Sequence, residues 1–182
     1  MPRVVAFLRA INVGGHTVQM TRPRGLFEAL GLKDVETFIA SGNVVFTTSS
    51  GNLDALQRKI EAHLEKALGY EVKTFLRTEA EVTAIARHRP FPAAAVRNAA
   101  ALYVAFVDAP LGVAERKLIA AMKTDIDDFH VGAREIYWLC RKRQSESTFS
   151  YARLEKQIKG PATFRGVRTV EKLAAKYCRD DS

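Results

Sequence analysis

Two short loops within the first 46 residues hold the side chains best suited to gripping a ligand: Leu8 to His16, reading LRAINVGGH, and Ala40 to Phe46, reading ASGNVVF. Arg9, Asn12, Ser41 and Asn43 supply donors able to orient an anion or a polar ring. Gly14, Gly15 and Gly42 can present backbone N–H groups as an anion nest. The competing role is structural: Asn12 and Asn43 can hold turns with their own side chains, with Arg9 paired internally. Neither GxxxxGK[ST] nor GxGxxG occurs in the loops, so they are neither a Walker motif nor a dinucleotide fingerprint.

A second anion candidate lies in the tail, TFRGVRTVEKL, Thr163 to Leu173. With Thr169 as N-cap of a final helix, Arg165 and Arg168 stand just ahead of a helix N-terminus, where free N–H groups and the macrodipole also favour an anion. Other chemistries are weaker. TDIDDFH, Thr124 to His130, gathers three aspartates and a histidine, but an acidic turn before a strand accounts for them as well as a metal does. His16 is the histidine best placed to titrate beside a ligand, though a loop histidine is more often simply solvated. Ser41 lacks the GxSxG elbow, and Cys140, after Trp138 on a strand, reads as core. The residues name no nucleophile, metal or cofactor.

Composition bounds the partners. Of 182 residues, 47% are hydrophobic and 26% charged, as in ordinary soluble domains. No apolar run approaches a membrane span, and MPRVVAFL enters a strand at once, leaving no room for a signal peptide. Cys140 and Cys178 make no disulfide framework. A cytoplasmic protein with two reduced thiols is expected, with no membrane partner and an oligomeric state that composition leaves open. The net charge is +8, and residues 134–179, with 12 Lys/Arg against 4 Asp/Glu, carry all of it. Such a region either concentrates anions, from phosphate ligands to nucleic acid, or is a solubilising face.

The elements that must position these residues follow from periodicity. Val4 to Ile11 is nearly unbroken apolar, as in a strand covered on both faces. Met20, Leu26, Phe27 and Leu30 give a helical stripe ending at Gly31, with Pro23 in its first turn. Val35 to Ile39 and Asn43 to Thr47 form a hairpin across Ala40-Ser41-Gly42. Asn52 caps a helix with the stripe Leu53, Leu56, Ile60, Leu64 and Leu68, closed by Gly69, and Glu71 to Thr78 is a fourth strand. Strand, helix, strand, strand, helix, strand is the split βαβ order of a ferredoxin-like sandwich. A right-handed crossover makes the first two strands parallel, so both loops share one sheet edge, side by side.

A connecting helix, Glu79 to Arg87, ends before Pro90 and Pro92, and Ala93 to Ala100 is helix or linker. The pattern then restarts. VAFVDA from Val104 echoes VAFLRA from Val5, and Phe129 to Tyr137 lies on Phe38 to Phe46 without a gap. Glu115 to Met122 and Ser147 to Ile158 read as helices. The fold class is therefore α+β, a ferredoxin-like α/β plait in two related sandwich halves, with boundaries at 1–78, a helical connector at 79–100, and 101–182. Asp108 replaces Arg9 in the second half, and Ala133-Arg134 replace Gly42-Asn43, so only the first half keeps the pocket.

LRAINVGG with Met20, then TFIASGNVVF, resembles a bacterial family known as domain of unknown function 1697. RPFP at Arg89 to Pro92 and the tail from Thr163 to Leu173 resemble its later blocks. The resemblance implies an α/β-plait architecture and supplies no activity. Ala10 stands where the family loop has its first glycine, which narrows the room for a ligand. In the tail, Gly166, Val167 and Arg168 replace the family's Asn, Trp and Asn, which removes an aromatic and adds a charge.

Two functions follow. One is binding of an anionic ligand, a phosphate-bearing small molecule or nucleic acid, by the first-half loops and the basic segment. The other is a small-molecule enzyme using the Arg9/Asn12/Asn43 pocket. A structural or oligomeric scaffold is the third.

Overall fold

Val4 to Leu8 are each no more than 1% exposed, because the strand that carries them is covered on both faces. The computed structural model describes residues 1–9, 21–39 and 42–179. Its first motif runs β1 (Arg3–Leu8), α1 (Thr21–Ala29), β2 (Lys33–Phe38), β3 (Asn43–Thr47), α2 (Leu53–Leu68) and β4 (Thr74–Thr78). The sheet order is β2-β3-β1-β4, with every neighbouring pair antiparallel. This is the ferredoxin-like arrangement. Val4, Ala6 and Leu8 point to the helical side and pack with Phe27 of α1 and Ile60 and Leu64 of α2. The caps of α2 are those read from sequence: Asn52 Oδ1 accepts from Ala55 N at 3.0 Å, and Gly69 closes the helix at φ 81°.

α3 (Glu79–Arg87) opens on a reciprocal cap, in which Glu81 N–H donates to Thr78 Oγ1 and Thr78 N–H donates to Glu81 Oε2. After α4 (Ala93–Asn98) the motif repeats as β5 (Ala101–Phe106), α5 (Val113–Ala120), β6 (Asp127–Val131), β7 (Glu135–Cys140), a 3-10 turn (Gln144–Glu146), α6 (Tyr151–Ile158) and β8 (Thr163–Gly166). α7 (Val167–Tyr177) follows. The second sheet has the order β6-β7-β5-β8. Its core joins Ala105, Ile119, Ile136, Trp138, Phe149 and Leu154.

By proximity the chain divides into two compact units, Met1–Ala86 with Glu171–Ser182, and Arg87–Val170. The division falls inside α7, so residues of the basic segment belong to both units. Within the first unit the end of the chain engages strand β2: Tyr177 Oη donates to Glu36 Oε2 at 2.9 Å, and its ring meets Phe38 edge-on.

The shared VAF strands allow a residue-by-residue comparison of the two motifs. Val5 pairs with Val45 and Arg77, and Val104 pairs with Tyr137 and Arg165. Tyr137 therefore corresponds to Val45, not to Phe46, and the gapless alignment of the hairpins is corrected by one residue. On the preceding strand the offset is three, because Thr37 pairs with Val44 and Val131 with Ile136, so the second hairpin is two residues shorter.

Two expectations about the tail also change. Thr163–Gly166 is a strand, and the helix begins at Val167, so Thr169 is its third residue and not its N-cap. The strand escaped the periodicity reading because the residues it buries are Thr163 and Arg165, which are polar. Ser147 to Ile158 is likewise not one helix: α6 starts at Tyr151, with Ser150 Oγ accepting from Arg153 N at 3.1 Å.

The acidic turn is a structural joint. Asp127 is 1% exposed and accepts from Trp138 Nε1 at 2.8 Å and Ser147 Oγ at 2.6 Å. Asp128 faces Arg141 at 3.5 Å and Lys123 at 3.6 Å. Asp127→Ala strands a buried indole N–H, and is expected to lower stability by about 3 kcal/mol. Urea unfolding followed by emission of Trp138, the chain's single tryptophan, measures this.

Candidate anion-binding site

The first-unit candidate is seen at its flanks. Leu8 N–H donates to Gly42 O at 2.8 Å, and Phe7 pairs with Asn43, so the end of β1 and the start of β3 lie side by side. Arg9 follows at once, its N–H held by Lys73 O at 2.8 Å. Gly42 has φ 83°, a conformation L side chains rarely adopt, which explains a glycine there. Asn12, Gly14, Gly15 and Ser41, with His16, lie outside the described residues. Of the expected cluster, the structure brings together Arg9, Gly42 and Asn43.

Asn43 has the structural role weighed for it. It is fully buried, and its Nδ2 donates to Phe38 O at 2.9 Å across the hairpin. That bond fixes the turn and takes one of the amide's donors away from a ligand.

In the tail, Arg165 and Arg168 do not form one site. Arg165 is 7% exposed within β8, and its Nη1 donates to Thr163 Oγ1 and Phe164 O, both at 2.8 Å. Burial pulls its pKa down to about 10. The first-unit counterpart Arg77 is also buried, with Nη1 on Leu76 O at 3.0 Å, so this arginine belongs to the repeated framework. Arg168 is exposed as the second residue of α7, and Thr169 is half-buried one residue on.

Sequence reasoning counted but did not single out Arg141-Lys142-Arg143, which follows β7. All three are exposed. Their backbone is fixed by Arg141 N–H on Ile126 O at 2.8 Å and Arg143 N–H on Glu146 Oε2 at 3.0 Å. Arg141 pairs with Asp128, while Lys142 and Arg143 have no ion-pair partner among the described residues. The signal in the sequence was three consecutive cations at the end of a buried strand.

The second unit also opens a cavity of about 460 Å³ beyond β5, lined in part by Asp108, Leu111, Glu115, Ile158 and Lys159. Two carboxylates against one lysine make it a poor home for an anion. Among the described residues no group of three or more His, Cys, Asp or Glu is arranged to hold a metal. Both cysteines are free, and Cys140 Sγ donates to Lys142 O at 3.0 Å from a fully buried position, where burial pushes its thiol pKa up. No helix among the described residues is long and apolar enough to cross a membrane.

Comparison with protein families gives one decisive match, over residues 1–137, to a family described as protein of unknown function (DUF1697). The chain belongs to the DUF1697 family. The match takes in both loops, RPFP and the first two strands of the repeat, and ends before the tail blocks at Thr163 to Leu173. A solved structure of a conserved bacterial protein from Streptococcus pneumoniae is similar at 24% identity and TM-score 0.73, covering 98% of this chain and 99% of that one. At that identity the likeness shows a common fold through both units of this DUF1697 protein. No curated protein matches the chain.

The buried and exposed arginines separate by experiment. Arg165→Ala is expected to cost about 2–3 kcal/mol, because Thr163 and the Phe164 carbonyl lose a charged donor. Arg168→Ala is expected to leave stability within about 0.5 kcal/mol of the parent. Thermal and urea unfolding of the two variants, run side by side, tests the assignment; equal effects would contradict it.

Proposed function

We propose that the protein binds phosphate-bearing anions, nucleic acid foremost, in the cytoplasm. The observation that carries the reading is the placement of the basic excess: Arg141, Lys142, Arg143, Arg153, Lys156, Lys159, Arg168 and Lys172 are all exposed, while Arg165 in β8 is buried. Cations on the surface beside few carboxylates raise the local anion concentration and speed encounter. Lys142 and Arg143 have the further advantage that their backbone is already fixed, so less entropy is lost when they engage phosphate.

Arg9, at the sheet edge of the first unit, is the second proposed contact, suited to a single phosphate group. The buried, turn-holding Asn43 supports a binding role over an enzyme built on Arg9, Asn12 and Asn43 together.

The test is fluorescence anisotropy with labelled DNA and RNA over a NaCl series. Binding is expected to weaken linearly in log–log form, by about 0.7 per neutralised phosphate for single strands and about 0.9 for duplex. The triple variant Arg141→Ala, Lys142→Ala, Arg143→Ala is expected to reduce that slope by about 2 and the affinity more than about tenfold. No binding of oligonucleotides or inorganic polyphosphate at low salt would end the reading. Loss in Arg9→Ala alone would move the site to the first unit.

A further inference from the structure

We propose that Tyr151, with the basic turn Arg141-Lys142-Arg143, forms a stacking platform for single-stranded nucleic acid; this rests on the anion-binding reading and names its ligand class. Tyr151 is the first residue of α6 and is 40% exposed. Among the described residues it is the one aromatic side chain in the exposed hydrophobic set. One face of its ring lies flat on Phe164, with centroids 4.1 Å apart and planes 10° from parallel. Trp138 and Phe149 approach edge-on at 6.3 and 6.4 Å. Its hydroxyl accepts from Gln144 Nε2 at 3.1 Å. The ring is thus held at its face, its edges and its polar tip, and still meets solvent.

That combination suits a base. A fixed aromatic gives up little rotamer entropy when a second ring stacks on it. The contact with Gln144 also places Tyr151 beside the basic run, because Gln144 directly follows Arg143. Arg153, two residues along α6, is exposed as well. A single strand offers both phosphates for the cations and an open base face for the adjacent ring, whereas a duplex, whose base faces are stacked inside, offers the phosphates alone. An acidic peptide would use the cations and leave the ring unexplained. A membrane would ask for several apolar anchors, and the neighbouring Phe149 is buried.

The experiment compares a labelled 12-nucleotide dT strand, the same length of duplex DNA, and inorganic polyphosphate, each against the parent, Tyr151→Ala and Tyr151→Phe. Expected is a loss of about 5- to 100-fold for the single strand in Tyr151→Ala, near-parent binding in Tyr151→Phe, and an unchanged salt slope in both. Duplex and polyphosphate binding are expected to be unaffected by either variant. Because Tyr151→Ala also removes a packing contact, the parent protein is separately irradiated with a 5-iodouracil strand, and the crosslink is expected on Tyr151 by mass spectrometry. A crosslink elsewhere, or single-strand affinity indifferent to Tyr151→Ala, overturns the platform while leaving anion binding intact. Binding of anionic vesicles or acidic peptide in place of oligonucleotides overturns it too. Absence of every polyanion complex defeats the anion-binding reading itself.

Discussion

One backbone hydrogen bond, made twice, fixes the layout of both units. Leu8 N–H reaches Gly42 O at 2.8 Å, and the equivalent Val107 N–H reaches Arg134 O at 3.1 Å. Each exists because a right-handed crossover sets the first two strands of a motif parallel, leaving space for the third between them. The third strand then begins where the first ends. The end of the first strand and the start of the third therefore meet at one edge, whatever side chains they carry. This is why Arg9 and Gly42 lie together, and why Asp108 and Arg134 do in the repeat, where Arg134 Nη1 reaches Asp108 O at 3.5 Å.

The same geometry buries a guanidinium in the last strand of each sheet. Arg77 and Arg165 occupy matching positions, opposite Val5 and Val104, and each donates from Nη1 to the carbonyl of the residue before it. A charge in that position is tolerated only when hydrogen-bonded. Its recurrence in sequences as unlike as TFLRT and TFRG is stronger support for duplication than the VAF identities, because it is a costly feature kept in both copies. In the first unit the edge strand β2 is further protected by the chain's own end. Arg3 Nη1 donates to Tyr177 O, and Lys176 sits over the Phe38 ring at 5.8 Å. An edge held in this way is less open to pairing with another chain.

What could be read from sequence divides along a physical line. β1, α1, the hairpin and α2 were legible because apolar spacing and caps such as Asn52 and Gly69 are local signals. β8 was not, since it buries Thr163 and Arg165 and exposes no alternation of apolar residues. The adjacency of the end of β1 and the start of β3 followed from topology, and the described residues show it; the roles of Asn43 and Arg165 depended on burial, which polarity alone misreports. Both are polar, and both are enclosed. Tyr151 was overlooked for the converse reason: an aromatic reads as core, and this one is exposed.

The two ends of the second unit differ in charge pattern, and which residues meet at each follows from strand direction. β5 and β7 are antiparallel, with Phe106 opposite Glu135 and Ala101 opposite Cys140. The edge at Phe106 is mixed: Asp108 and Glu115 stand beside the cavity with Lys159, and Arg116 and Arg134 reach the Gly132 and Asp108 carbonyls. At the other edge the chain leaves Cys140 into Arg141-Lys142-Arg143 and reaches the N-terminus of α6, whose Ser150 cap and Tyr151 stand there. The helix dipole points its positive end to the edge that already bears the cations. An approaching polyanion is drawn to that edge. At the corresponding positions of the first unit Arg9 replaces Asp108 and the neutral Asn43 replaces Glu135. At the matching positions of the two motifs Arg134 also stands for Gly42, so the charge changes between the copies run in both directions along a shared strand frame.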